Sequence, residues 1–289
     1  MWPAPAANIC CGTLQHRTAA DMPGAAFITR TDLSADLARL GVAQGDIVMV
    51  HAACRSLGPV LGGADVIIAA LREAVGPAGT LMAYLDWEAA WEDFKDEGGR
   101  IPEPLRPHVL PFDPARTRAA RQNGALPEFL RTTPGARRSG NPGASVAALG
   151  PKADWLTADH PLDYGYGPGT PLARLVAARG KVLMLGAPRD SMTLLHHAEH
   201  LASLPGKRVI RTEVPFAAPD GIAWRVIEEF DTSEPCVPAL PEDFIAQIVD
   251  AYLATGAGRQ GKVGRADSVL VEAADIVPFA VRWLERVAG

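Results

Sequence analysis

Three histidines and a glutamate fall within five residues, His196-His197-Ala198-Glu199-His200. On a helix His196, Glu199 and His200 share one face, and His197 points elsewhere. An imidazole held in one tautomer by an acid can take a proton from a nucleophile. The spacing His196-x-x-Glu199-His200 also matches the pattern of inverted zinc peptidases, where two histidines one turn apart grip a metal and the glutamate remains as base. A third reading is purely structural, with histidines that cap and pack a helix. Spacing alone leaves all three open.

The flanking sequence says how such a helix is positioned. The apolar run Lys181 to Leu185 leads into Gly186 and Pro188, and Asp190-Ser191 then opens the helical segment, so the order is strand, tight loop, helix. Loops at the carboxyl ends of strands in open α/β sheets are where ligands usually sit. The same rhythm occurs earlier. Thr31 reads as the cap of a helix with Leu33, Leu37 and Leu40 on one stripe and Gly41 closing it. Asp46 to Ala53 is a short apolar strand with His51 near its carboxyl end. A glycine-rich loop from Arg55 to Gly63 then opens a helix that stops at Gly76-Pro77, and Gly79 to Leu85 is the next strand of a βαβ unit. Backbone N–H groups at such a loop suit a phosphate, although many such loops are only turns.

Residues 86 to 111 break the rhythm, with Asp86, Glu88 and Glu92 among Trp87 and Trp91. Carboxylates beside flat rings suit a polycationic sugar, and a solvated loop packed onto the body is the alternative. Arg137-Arg138-Ser139 is a basic turn before a strand from Ala144 to Leu149, and Thr170 caps a helix through Leu172, Leu175 and Val176. Alternating strands Val209 to Phe216 and Ile222 to Phe230 form a hairpin, which makes the sheet mixed and puts Asp231 and Glu234 just beyond it. A helix around Phe244 to Tyr252, a strand Ser268 to Val271 and a helix from Ile276 to Val287 close the chain. The expected fold is therefore α/β, a mixed sheet flanked by helices, in one domain over residues 28–289 behind a loosely structured arm at 1–27.

A length of 289 residues and 48% hydrophobic content are enough for a substantial core. The net charge of -5 argues against nucleic acid and suits cationic ligands. Cys10, Cys11, Cys54 and Cys236 lack disulfide or zinc spacing, and the N-terminus lacks an export signal, so a reducing, cytoplasmic setting is expected. No apolar run approaches the roughly 18 residues of a spanning helix, so no membrane partner is expected.

Taken together, several stretches resemble the aminoglycoside 3-N-acetyltransferase family. They are Val50-His51-Ala52-Ala53, Gly58 to Gly63, Gly76 to Thr80, Pro111 to Ala115, Pro134 to Ser139, and Leu185 to Pro188 through Leu195 to Glu199. They occur in order from about Thr31 to the C-terminus. The resemblance implies the antibiotic N-acetyltransferase fold and transfer of acetyl from acetyl-CoA to an amine of an aminoglycoside antibiotic, without a metal. It implies His196 as catalytic base, with Asp231 and Glu199 as its acids. The CoA side falls on His51, Ala52, Ala53, Arg55, Ser56, Leu57, Val60, Arg138 and Ser139, with Thr193 or Ser56 serving the oxyanion. Asp86, Glu88, Glu92 and Tyr166 would meet the sugar, and a homodimer is compatible. The chain departs from the family at Ser139-Gly140-Asn141-Pro142, where Ser-Ala-His-Pro is usual, and it lacks a histidine common around Tyr164 and Tyr166. These departures leave open a related class that acetylates the 2′-amine of kasugamycin, and a zinc hydrolase using His196, Glu199 and His200 is a remoter alternative.

Overall fold

The structure is a computed structural model that describes residues 27–232 and 234–289. The arm expected at 1–27 lies, apart from Phe27, outside the described residues. The chain runs α1 (Arg30–Leu40), β1 (Ile47–Ala52), α2 (Gly63–Val75), β2 (Thr80–Tyr84), α3 (Leu126–Thr132), β3 (Arg137–Arg138), β4 (Val146–Leu149), α4 (Ala153–Thr157), α5 (Pro171–Ala177), β5 (Lys181–Leu185), α6 (Leu194–Leu201), β6 (Val209–Ala218), β7 (Gly221–Phe230), α7 (Phe244–Ala254), β8 (Arg259–Val263), β9 (Ala266–Glu272) and α8 (Ala273–Ala288).

Seven strands form one sheet in the order β3-β4-β2-β1-β5-β9-β8. The centre is parallel: β1 pairs with β2 and with β5. Here β1 reads as a continuous apolar run because both of its faces are covered. Val48 and Val50 face a core shared with α1, α2 and α3, and Met49 between them faces a second core built with α5 to α8.

The sheet is mixed, but not for the reason expected. Antiparallel β4 and β9 flank the parallel centre, whereas the β6–β7 hairpin forms a separate two-stranded sheet. The hairpin meets the body at a small core of Trp87, Phe112, Val214 and Ile227, and Phe112 N–H donates to the Pro215 carbonyl at 2.8 Å. Alternation showed a hairpin and could not show which sheet it joined.

Two other expectations change, and one strand had no expectation at all. The cap of α1 is Thr29 rather than Thr31: Asp32 N–H donates to Thr29 Oγ1, and Thr29 N–H donates to Asp32 Oδ2, a reciprocal capping box. Helix α6 begins at Leu194, after a separate 3₁₀ turn at Arg189–Ser191. Strand β8 carries no apolar run because it is an exposed edge, Arg-Gln-Gly-Lys-Val, placed by pairing with β9. Among the described residues no helix is long and apolar enough to cross a membrane.

The carboxyl ends of β1, β2 and β5 open onto the same side, and the loops after them carry the histidines and acids singled out above. The opposite end is tightly closed. Gly150 sits at φ +135°, and a Cβ there would lie 2.4 Å from the Gly79 carbonyl and 2.8 Å from Thr80 Cα. Gly45, at φ +87°, has nothing within 4 Å of its Cβ position. Chemical denaturation should therefore separate the two: Gly45→Ala loses about 1 kcal/mol from backbone strain alone, and Gly150→Ala more than about 2 kcal/mol because backbone must also move.

Candidate active site

Helix α6 carries an acid and a base one turn apart. His196 Nδ1 lies 2.6 Å from Glu199 Oε2, with Glu199 only 1% exposed and the His196 side chain 19% exposed. A carboxylate at Nδ1 fixes the tautomer with the proton on that nitrogen, so Nε2 keeps its lone pair. The ring lines a cavity of about 560 Å³ whose wall also includes Asp190, Arg208, Thr232, Glu234 and Glu242. Behind the dyad, the buried Cys236 thiol is pushed up to about 12 by burial and by the charge of Glu199.

The other residues of the histidine cluster do different work. His200 faces Glu229 at 2.9 Å and is ringed by Tyr164, Tyr166 and Phe230. His197 Nδ1 is 2.8 Å from the Tyr166 carbonyl. His196 and His200 thus engage different carboxylates, and among the described residues no group of three or more His, Cys, Asp or Glu is arranged to hold a metal ion. Asp231 forms an ion pair with Arg208 at 3.2 Å, and Glu234 pairs with the same guanidinium at 3.0 Å. Glu199 is thus the acid hydrogen-bonded to His196, while Asp231 holds Arg208 in the cavity wall.

On the other side of β1 lies a second cleft of about 700 Å³, lined by Ala52, Ala53, Cys54, Arg55, Arg118, Arg121 and Phe129. Ala52, Ala53 and Gly124 also border a smaller cavity of about 280 Å³ that contains His51, Tyr84 and Ser191. Burial drives the His51 imidazole down to about 4, so it is neutral, and its Nε2 is buried without a protein partner among the described residues. Cys54, Arg118 and Arg121 were not singled out from sequence, although the basic run Arg116 to Arg121 was there to be read.

Several residues expected on the CoA side are internal instead. Ser56 is not among them: it is exposed, although its Oγ donates to the Ala53 carbonyl at 2.7 Å and packs where a side chain on Gly186 would go. Leu57 is a fully buried core residue, and Val60 packs on the same core. Arg138 is mostly buried: its guanidinium donates to the carbonyls of Thr117 and Asp86 and to Ser145, and it stacks 4.9 Å from the Phe112 ring. Burial lowers its pKa to about 10. Ser139 is fully buried, accepting from Val146 N–H at 3.0 Å and lying 2.9 Å from His160 Nδ1. Thr193 is buried at the start of α6, where its carbonyl accepts from His196 N–H.

The acids expected to meet a sugar separate as well. Glu88 pairs with Arg121 at 2.7 Å and lines the second cleft, and Glu92 pairs with Lys95 at 2.7 Å. Neither lines the His196 cavity, since both sit on the excursion that follows β2. Asp86 is half-buried at φ +54°, accepts from Trp87 N–H at 2.7 Å, and is pushed up to about 7 by desolvation. Tyr166 is buried, its hydroxyl 2.8 Å from that of Tyr84 and its ring 5.2 Å from His196. Glu242 is an acid of the His196 cavity with no local sequence signal. The departure at Asn141 is internal: this residue, 3% exposed, donates to the carbonyls of Pro161 and Leu162 and accepts from Ala144 N–H.

Comparison with known proteins agrees with this architecture. The family model described as aminoglycoside 3-N-acetyltransferase matches residues 49–285. Aminoglycoside N(3)-acetyltransferase III of Pseudomonas aeruginosa is 47% identical over 255 residues, covering 86% of this chain and 91% of the relative. The solved structure of AAC-IIIb as a binary with CoASH superposes with a TM-score of 0.90 at 65% identity, covering 91% of this chain and 98% of that one. AAC-VIa bound to sisomicin superposes with a TM-score of 0.85 at 38% identity, covering 91% and 100%. The match displaces the zinc hydrolase alternative, and with an α/β fold around a His–Glu pair, the chain belongs to the aminoglycoside 3-N-acetyltransferase family.

Proposed function

We infer that this protein transfers acetyl from acetyl-CoA to the 3-amine of an aminoglycoside antibiotic, an inactivating modification that confers resistance. The observation that carries the chemistry is the 2.6 Å His196–Glu199 pair beside an acid-walled cavity. An aminoglycoside amine is largely protonated near neutral pH and has no lone pair in that form. His196 Nε2 takes one proton from it, directly or through water, while Glu199 stabilises the imidazolium. The freed nitrogen attacks the thioester carbonyl and a C–N bond forms; the C–S bond breaks, the departing thiolate recovers the proton held by His196, and the extra proton on the new amide nitrogen leaves to solvent, so one proton is released overall. Holding both substrates at one place supplies much of the acceleration.

The second cleft fits the donor. Arg55, Arg118 and Arg121 suit phosphates at its rim, Ala52 and Ala53 suit the apolar pantetheine arm, and the unpartnered His51 Nε2 offers one buried polar contact. Arg118 and Arg121 now pair with Glu128 and Glu88 and would exchange those carboxylates for phosphate. On the acceptor side Asp190, Glu234 and Glu242 receive the remaining ammonium groups. Thr193 remains the hydroxyl nearest the dyad in sequence for the oxyanion, because Ser56 is committed to Ala53. The reading needs no metal, nucleic acid or membrane, places the enzyme in the cytoplasm where CoA is made, and is compatible with a homodimer.

Three measurements test it. Thiol release in the presence of an aminoglycoside should fall at least about a hundredfold in His196→Ala and about tenfold or more in Glu199→Gln, with CoA affinity by calorimetry unchanged. Full activity in either variant removes that residue from the mechanism. Glu234→Gln with Glu242→Gln should raise the aminoglycoside KM several-fold, leave the acetyl-CoA KM unchanged, and lose that effect at high salt.

For Asp86 the folded-state pKa of about 7 lies above the unfolded 3.8, so its contribution to stability is full below about pH 4 and is lost as pH rises through 7. Asp86→Asn should therefore gain stability over wild type as pH climbs from 4 to 8, by at most about 4 kcal/mol, with the difference smaller when a saturating aminoglycoside ion-pairs the wild-type carboxylate. Melting curves across pH, with and without ligand, give the answer.

A further inference from the structure

The loop between α4 and α5 is bent into an unfavourable path and then fastened. Asp159 and Tyr164 take φ +43° and +53°, a region where residues with side chains are disfavoured. Six of the loop's carbonyls accept from side chains, that of Ala158 from Arg174 and that of Gly167 from Thr170 among them. Asn141 donates to those of Pro161 and Leu162 at 2.8 and 3.0 Å, His160 Nε2 to that of Gly165 at 2.7 Å, and His197 Nδ1 to that of Tyr166 at 2.8 Å. A carbonyl can only accept, so these two imidazole nitrogens carry the protons. His160 Nδ1 is then the acceptor for Ser139 Oγ–H, and Ser139 Oγ in turn accepts from Val146 N–H, which ties the loop to β4. Packing is close: a Cβ on Gly165 would lie 2.5 Å from Asn141 Nδ2 and 2.7 Å from Ala144 Cβ.

What this clasp presents is Tyr166. Its carbonyl is held by His197, its hydroxyl sits against Tyr84 and Gly143, and its ring lies 5.2 Å from the His196 ring at 44°. Two consecutive residues of one helix therefore grip one tyrosine, His196 by its ring and His197 through the backbone. His196 stands on a helix of eight residues and is partly exposed, so the Glu199 contact at Nδ1 leaves rotation of the ring about that hydrogen bond to be limited by packing. The tyrosine face also favours the imidazolium that forms when His196 takes a proton.

We propose that His197, backed by His160 and Asn141, is a positioning residue for acetyl transfer: it fixes Tyr166 so that the tyrosine ring holds the His196 imidazole in the orientation that accepts the proton. The proposal rests on the reading of His196 as the base. It gives the chain's departure at Asn141 a role in the loop rather than in choosing the sugar.

The test is a cycle of four full-length variants assayed well below their unfolding temperatures: His197→Ala, His197→Asn, Tyr166→Leu, and His197→Ala with Tyr166→Leu. His197→Ala and Tyr166→Leu are each expected to lower kcat about tenfold with both KM values within twofold of wild type. The double variant should lose no more than either single, because both remove one contact. Asparagine keeps an N–H donor near the Nδ1 position, so His197→Asn should recover kcat to within about threefold. The His196 ring signals in NMR should shift in His197→Ala and return in His197→Asn. Undiminished kcat in both single variants, losses that multiply in the double, or a His196 signal indifferent to His197 would each overturn the proposal. The NMR arm is read without turnover, and wild-type thiol release in the same assay tests the functional reading separately.

Discussion

A carboxylate with 1% exposure is expensive to keep charged unless something hydrogen-bonds to it, and Glu199 meets that requirement with His196. The bond serves both partners at once, through Glu199 Oε2 alone, since Oε1 is buried without a hydrogen-bond partner among the described residues. The acid gains a donor, and the imidazole gains a fixed tautomer with its other nitrogen left basic. Because the two residues are three apart on α6, helix geometry alone brings them within reach, and the pair is as well placed as the helix is. The placement of α6 follows from β5, which delivers the chain through Gly186 at φ +60° into the 3₁₀ turn and then the helix.

Around that pair the parallel centre of the sheet separates two spaces. Loops after β1 and β2 border the cleft lined by Ala52, Ala53 and Arg55, while the loop after β5 and the segment following β7 border the cavity of His196. The central strands are buried on both faces, so their ends hold still while the loops differ in chemistry: apolar and basic on one side, acidic on the other.

Much of this was legible in the residues. Continuous apolar runs mark β1, β2 and β5 to within a residue or two, and the i, i+3 spacing puts His196 beside Glu199 on any helix. What was not legible depends on partners far away in the chain. Arg138 looks like a phosphate ligand in a basic turn, yet its guanidinium is taken by carbonyls 21 and 52 residues distant. Ser139 and Asn141 are polar residues in a loop and are nonetheless almost completely buried, because their side chains bond to segments that no local pattern predicts. Glu88 and Glu92 sit in an acid-rich stretch, but where that stretch travels after leaving β2 is set by the aromatic contacts of Trp87 with Trp91 and Phe112. Glu242 reached the His196 cavity with no signal at all.

The detached β6–β7 ribbon has an evolutionary corollary. Its ten paired residues per strand hydrogen-bond to each other and not to the seven-stranded sheet, and its root delivers Arg208 and Thr232 to the wall beside His196. Insertions, trims or swaps along the ribbon leave the register of every central strand untouched. On the proposed reading the outer length of the ribbon is in this sense modular, free to drift toward differently decorated sugars, while its root, where the Glu228 carbonyl accepts from Tyr164 N–H and Glu229 pairs with His200, stays tied to the proton-transfer apparatus.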